Sequence, residues 1–202
     1  MIVIIDYGMG NTGSVKNAVE TLGRQVVISG RNEDLKNASH IILPGVGAFG
    51  DGIRNLRKSG LADVLHREVL GKKKPFLGLC LGMQLLADKG EEGGEERGLG
   101  WIDGRVRRFS VDESKFKVPH IGWNDVAFKE GAKLFRRVER PIFYFVHSFH
   151  LVPGDQKVAV GYTDYGEHFV AAIQKNNIFG LQFHPEKSQR EGLKVLENFL
   201  SV

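Results

Sequence analysis

The sequence contains one cysteine, and its neighbours suit a nucleophile. Cys80 is the centre of Gly78-Leu79-Cys80-Leu81-Gly82, after the apolar run Pro75 to Leu79 and before a helical stretch from Leu81. A small-x-nucleophile-x-small pattern between strand and helix reads as a nucleophile elbow. Its glycines let strand and helix approach, and the sharp turn lifts the central side chain out. The helix N-terminus at that place favours an anion. A thiol nucleophile needs a base, and His40, His66, His120, His147, His150, His168 and His184 compete for the role. His184 stands out because it ends an apolar run in Gly180-Leu181-Gln182-Phe183-His184-Pro185-Glu186. In open α/β sheets reactive groups gather at the carboxyl ends of strands. Residues i and i+2 of an extended segment face one side, so Glu186 can orient the His184 ring, with Pro185 holding that geometry. Cys80, His184 and Glu186 thus read as nucleophile, general base and orienter. Attack on a carbonyl also needs oxyanion donors. The Leu81 N–H is one candidate, and the glycine-rich Pro44-Gly45-Val46-Gly47-Ala48-Phe49 is the source of the other.

The elements that must position these residues alternate through the first half. Met1 to Asp6, Gln25 to Ser29, His40 to Leu43 and Pro75 to Leu79 are short apolar runs of the buried-strand type. Between them, Asn11 to Leu22, Phe49 to Leu70 (interrupted near Ser59-Gly60) and Leu81 to Ala87 have helical spacing. Such alternation predicts parallel strands with crossover helices on both faces. Past the acidic, glycine-rich stretch Gly90 to Glu96 the runs turn short and β-like: 105–109, 124–128, 142–146, 158–163, 169–174 and 178–183. Ser188 to Leu200 closes the chain as an amphipathic helix with Leu193, Leu196 and Leu200 on one face. The expected fold is α/β: a doubly wound, mostly parallel sheet with helices on both faces, plus added antiparallel strands in the second half. No linker-like stretch or repeat divides the chain, so residues 1–202 are expected to form a single domain.

Composition fits that reading. With 202 residues, 42% hydrophobic and 26% charged, the chain can bury a real core and is neither disordered nor fibrous. One cysteine excludes an internal disulfide, which points to a reducing, cytoplasmic location. The longest apolar runs fall far short of the roughly 20 residues that span a bilayer, and no signal-peptide pattern opens the chain. A net charge of +4 is mild and does not argue for nucleic acid.

Three motifs, in this order and spacing, carry a family resemblance: Leu43-Pro44-Gly45-Val46-Gly47-Ala48-Phe49, Gly78-Leu79-Cys80-Leu81-Gly82-Met83-Gln84 and Phe183-His184-Pro185-Glu186. The sequence resembles the triad (class I) glutamine amidotransferases over nearly its whole length. Three more stretches resemble the glutaminase subunits of imidazole glycerol phosphate synthases within that family. They are Ile5-Asp6-Tyr7-Gly8-Met9-Gly10-Asn11, Pro119-His120-Ile121-Gly122-Trp123-Asn124 and Tyr144-Phe145-Val146-His147-Ser148-Phe149, where Phe149 replaces a frequent tyrosine. The resemblance implies hydrolysis of L-glutamine to glutamate and ammonia through a Cys80 thioester, without cofactor or metal. It implies a substrate held by Gly45, Val46, Gly47, Gln84, His147 and Ser148. It also implies a heterodimer with a (β/α)8-barrel synthase subunit that takes the ammonia, and no nucleic-acid or membrane partner. Asn11, Pro119, Trp123 and Asn124 are the candidates for the face turned to that subunit. Trp123 reads equally as a large core residue, and Asn11 as a plain helix N-terminal residue.

Rival readings stay weaker. Gly8-Met9-Gly10-Asn11-Thr12-Gly13 is a literal dinucleotide fingerprint, with Glu33 and Asp34 about 20 residues on. Asp6 would, however, bring a carboxylate toward a pyrophosphate. The basic runs Lys72-Lys73-Lys74 and Arg105-Val106-Arg107-Arg108 lack interleaved aromatics and read as solvated loops and edges. The closest rival is the same glutaminase chemistry serving another acceptor, such as pyridoxal phosphate synthesis.

Overall fold

A computed structural model describes all of residues 1–202. Strands β1 (Ile2–Ile5), β2 (Val26–Ser29), β3 (His40–Leu43) and β4 (Phe76–Leu79) alternate with helices α1 (Thr12–Thr21), α2 (Asn32–Asn37), α3 (Phe49–Lys58) and α4 (Leu61–Leu65). A π-helical turn, His66–Gly71, extends α4. The short α5 (Leu81–Gln84) follows β4. The second half adds β5 (Ala87–Gly90), β6 (Glu96–Arg97), β7 (Ile102–Arg108), β8 (His120–Asp125) and β9 (Ala127–Phe128). It then adds β10 (Ile142–His147), β11 (Phe149–Pro153), β12 (Ala159–Asp164), β13 (His168–Lys175), β14 (Ile178–Leu181) and α6 (Gln189–Phe199).

The main sheet has the order β2-β1-β3-β4-β14-β13-β12-β9. It is parallel from β2 to β14 and antiparallel from β14 to β9. Both faces are covered because successive residues of each inner strand point opposite ways. In β1, Val3 and Ile5 join the core under α2, α3 and α4, with Leu35, Ile53, Leu56 and Val64. Ile2 and Ile4 join the opposite core under α1 and α6, with Val15, Val19, Val195 and Phe199. Each such fully buried aliphatic side chain contributes about 1.5–3 kcal/mol, so a continuous apolar run settles as a central strand. This is the doubly wound arrangement expected, with the antiparallel strands added on one side.

Several boundaries differ from the sequence reading. The helix expected over Leu81 to Ala87 ends at Gln84, and Ala87–Gly90 is a strand instead. That strand pairs in parallel with β7 inside a second sheet of order β11-β7-β5-β6. Helix α2 and strand β11 were not foreseen. The ribbon β8–β10 stands apart as its own two-stranded sheet and begins at His120, not Asn124. No helix is long and apolar enough to cross a membrane.

Candidate active site

Cys80 lies between β4 and α5 with φ 50° and ψ −108°, a backbone conformation that costs of order 1–3 kcal/mol for a residue with a Cβ. Its surroundings hold it there. The Cys80 N–H donates to the Leu181 carbonyl at 2.7 Å, and its carbonyl accepts from Met83 and Gln84 N–H at 3.0 and 3.1 Å. The flanking glycines are required by space. A Cβ on Gly82 would sit 1.9 Å from the Leu43 oxygen, and one on Gly78 would sit 2.5 Å from the Gly82 oxygen. β3, β4 and α5 therefore meet backbone to backbone around the thiol, as an elbow demands.

β14 runs beside β4 and leads to His184, the expected base. After Leu181 the chain passes Gln182 and Phe183 to His184, whose N–H donates to the Tyr144 carbonyl at 2.9 Å. The Ser188 hydroxyl donates to the His184 carbonyl at 2.6 Å and accepts from the Tyr144 N–H at 3.0 Å, fixing the His184 backbone to β10. His184 Nδ1 meets Glu186 Oε1 at 2.8 Å. The expected juxtaposition is present, but its cause differs: Pro185–Lys187 form a 3-10 turn, which folds the carboxylate back onto the ring. Nε2 of His184 is buried without a hydrogen-bond partner, as is Glu186 Oε2. Burial pulls the His184 pKa down, but its interactions with the neighbouring Cys80 and Glu186 outweigh it and raise the pKa to about 10.

Cys80 opens into a cavity of about 300 Å³, lined also by Val46, Gly47, Leu81, Gln84, Pro119 and His147. Ser148 lines it as well, so most of the expected substrate residues converge; Gly45 sits just behind, its carbonyl accepting from the Leu81 N–H at 3.3 Å. That last contact corrects one expectation. The Leu81 N–H is engaged and is not a free oxyanion donor as the chain stands. The His147 ring is likewise committed, Nδ1 to the Phe149 carbonyl at 2.8 Å and Nε2 to His120 Nδ1 at 3.2 Å. Gln84 uses its amide nitrogen on the Phe149 carbonyl (2.8 Å) and on Gln182 Oε1 (3.1 Å), which leaves its side-chain oxygen.

Four neighbours escaped the sequence reading. Gln182 Nε2 faces the Cys80 sulfur at 3.6 Å, and the Val146 carbonyl faces it at 3.9 Å. Glu92 of the acidic loop accepts the Phe49 N–H at 2.8 Å and lines the cavity. The buried Tyr7 hydroxyl has no partner, and burial, aided by the Cys80 charge, pushes its pKa well above the usual phenol range. Gln182 had a signal, its place in the His184 motif; a lone Glu in an acidic loop has none.

Of the expected partner face, Trp123 is 48% exposed, which excludes the core reading. Asn11 is an exposed N-cap whose Oδ1 accepts the Ser14 N–H at 3.1 Å. Asn124 turns its side chain toward His120 and Asp164. In the Gly8–Gly13 run, Asp6 Oδ1 already accepts the Gly8 N–H at 3.2 Å, and a Cβ on Gly10 would lie 2.9 Å from the Gly45 Cα. These glycines serve a turn and a close approach. A larger cavity of about 520 Å³ between Trp123, Ile142 and Arg190 contains none of Cys80, His184 or Glu186.

The family model for glutamine amidotransferase class-I matches residues 3–202. The chain is 48% identical over 199 residues to the imidazole glycerol phosphate synthase subunit HisH of Aquifex aeolicus, covering 98% of this chain and 94% of that protein. It is 46% identical over 201 residues to subunit HisH 2 of Methanococcus maripaludis, covering 99% and 98%. Among solved structures, PurLQS from Thermotoga maritima superposes with a TM-score of 0.77 at 22% identity, covering 99% of this chain and 97% of that one. With a strained cysteine elbow beside a His–Glu pair and a family match over nearly every residue, the chain belongs to the class I glutamine amidotransferases.

Proposed function

We propose that this chain, acting as one amidotransferase domain over residues 1–202, is the glutaminase subunit of an imidazole glycerol phosphate synthase in histidine biosynthesis. The observation that carries the chemistry is Cys80, held in its strained elbow in the wall of the cavity with the buried His184–Glu186 pair alongside. The names of its full-length relatives support the choice of acceptor over pyridoxal phosphate synthesis. A single buried thiol supports a reducing, cytoplasmic setting.

In the proposed reaction His184, whose raised pKa keeps its ring protonated at neutral pH, already holds the Cys80 proton on Nε2, and Cys80 Sγ forms a bond to the side-chain amide carbon of L-glutamine. The carbonyl oxygen becomes an oxyanion. His184 gives its proton to the amide nitrogen, the C–N bond breaks and ammonia leaves. Water then attacks the thioester as the now neutral His184 takes one of its protons, the C–S bond breaks, and glutamate departs with Cys80 freed and the protonated His184 restored. Glu186 holds the ring and balances its positive charge. For the Leu81 N–H to stabilise the oxyanion it must first release the Gly45 carbonyl, so the isolated chain is expected to be slow. A (β/α)8-barrel partner that receives the ammonia is the natural agent of that release, since free ammonia would be protonated in water and lost as a nucleophile.

A glutamate-release assay, with and without the barrel subunit and its nucleotide, tests this. Release that the partner strongly stimulates, that Cys80→Ala abolishes, and that a glutamine-like electrophile blocks by labelling Cys80 supports the assignment. Full release by Cys80→Ala, or labelling elsewhere, overturns it.

A further inference from the structure

His120 begins β8, is 2% exposed, and takes no part in the chemistry above. Its ring is clamped between Tyr165 and Phe145, stacked on it at 4.0 and 4.9 Å between centroids. Its two nitrogens face defined partners, His147 Nε2 at 3.2 Å and Asn124 Nδ2 at 3.5 Å.

At one end, His147 Nδ1 faces the Phe149 carbonyl at 2.8 Å. A carbonyl only accepts, so His147 Nδ1 carries a hydrogen. Burial lowers the pKa of both rings, His120 to about 4 and His147 well below its ordinary value, so each holds one hydrogen at neutral pH. His147 Nε2 is then an acceptor, and His120 Nδ1 must donate to it. At the other end, Asn124 donates from Nδ2 to the Asp164 carbonyl at 2.9 Å and accepts the Asp125 N–H on Oδ1 at 2.9 Å. Its amide is therefore fixed with nitrogen toward His120 Nε2, which must accept. The two ends agree, and both rings are Nδ1–H tautomers. The series continues to the nucleophile: the Phe149 carbonyl also takes Gln84 Nε2, Gln84 reaches Gln182 Oε1, and Gln182 Nε2 faces the Cys80 sulfur.

We propose that His120 is a positioning residue for the glutamine pocket: as its Nδ1–H tautomer it locks His147, and through the Phe149 carbonyl it fixes the wall from Val146 to Phe149. This role rests on the reading of the Cys80 cavity as the glutamine site. It joins the exposed ribbon that carries Trp123 to the hydrogen bonds around Cys80. No other donor faces His147 Nε2, so the role depends on the hydrogen at His120 Nδ1.

The test has two parts. Long-range nitrogen–proton NMR on the labelled chain, with signals assigned through variants, is expected to show both rings neutral with hydrogen on Nδ1. Then His120→Asn and His120→Gln are compared in the complex with the synthase subunit. An asparagine amide nitrogen overlays Nδ1 and keeps the donation, whereas a glutamine amide reaches only the Nε2 position. His120→Gln is expected to raise the KM for glutamine about tenfold with kcat within about threefold, and His120→Asn to leave both within about twofold. An Nε2–H tautomer on either ring, or His120→Asn as impaired as His120→Gln in an active complex, overturns this inference alone. If His120→Gln does not fold, His120→Asn decides, a KM rise beyond about fivefold overturning the role. A wild-type complex that releases no glutamate overturns the pocket reading itself, while the tautomer measurement still reports on the lock.

Discussion

At the scale of single residues, His184 is set by two neighbours that oppose its burial. Desolvation alone lowers a histidine pKa; Cys80 and Glu186 reverse the sign and raise it to about 10. Because the folded value lies above the ordinary 6.5, the His184 proton stabilises the fold fully below about pH 6.5 and is lost as pH rises through about 10. Glu186→Gln isolates the charge from the geometry. The amide oxygen can still accept from Nδ1–H, and the new NH₂ occupies the side where Oε2 now has no partner. The His184 titration midpoint, followed by NMR, is expected to fall well below 10. The kcat for glutamine is expected to drop about 100-fold, at the lower end of what general acid–base catalysis supplies. An unmoved midpoint with unchanged kcat would show that the carboxylate only shapes the turn.

At the scale of elements, the elbow is a packing problem before it is a catalytic one. Gly82→Ala drives a Cβ into the Leu43 carbonyl at 1.9 Å, and backbone has little freedom to retreat. Overpacking of that kind costs about 3 kcal/mol, a fall of roughly 6–12 °C in melting temperature for a chain of this size. Gly71→Ala, where a Cβ meets nothing within 4 Å, serves as control and is expected to melt no lower than wild type. Equal melting of the two variants would mean that β3 and α5 can part. The glycines flanking Cys80 made this contact legible in the sequence, as did the apolar runs of β1, β3 and β4, buried on both faces. Other elements left weaker marks. Helix α2 buries only Leu35 and so has no apolar stripe to read. Strand β11 is separated from β10 by Ser148 alone and contains Pro153, so the two merge into one run. Helix α5 reads longer in sequence than it is because Leu85 and Leu86 continue its apolar pattern, although they pack after the chain has turned toward β5. At the site, residue type and order reveal Cys80, His184 and Glu186, but the commitment of Leu81 N–H to Gly45 depends on how two loops meet.

At the scale of the whole molecule, the ribbon β8–β10 presents apolar side chains to solvent beside the catalytic edge. Ile121, Trp123 and Ile142 are 59%, 48% and 43% exposed, and Trp123 packs edge-on against Tyr144 across the ribbon. The same strand β10 ends in His147 and leads into the wall of the Cys80 cavity. An apolar face here costs nothing in a complex that covers it, and a synthase subunit seated there would lie against the strand that leads to the Cys80 cavity. Trp123 is the largest side chain of the face, and buried tryptophans commonly dominate interfaces. Trp123→Ala is therefore expected to weaken binding of the barrel subunit at least about tenfold, measured by titration calorimetry. At saturating partner it is also expected to leave a smaller stimulation of glutamate release, as a docking face on the ribbon joined through His120 to the pocket would require. Unchanged affinity and stimulation would move the docking face away from β8. Weakened affinity with full stimulation would keep the face there and assign the release of Leu81 N–H to another contact.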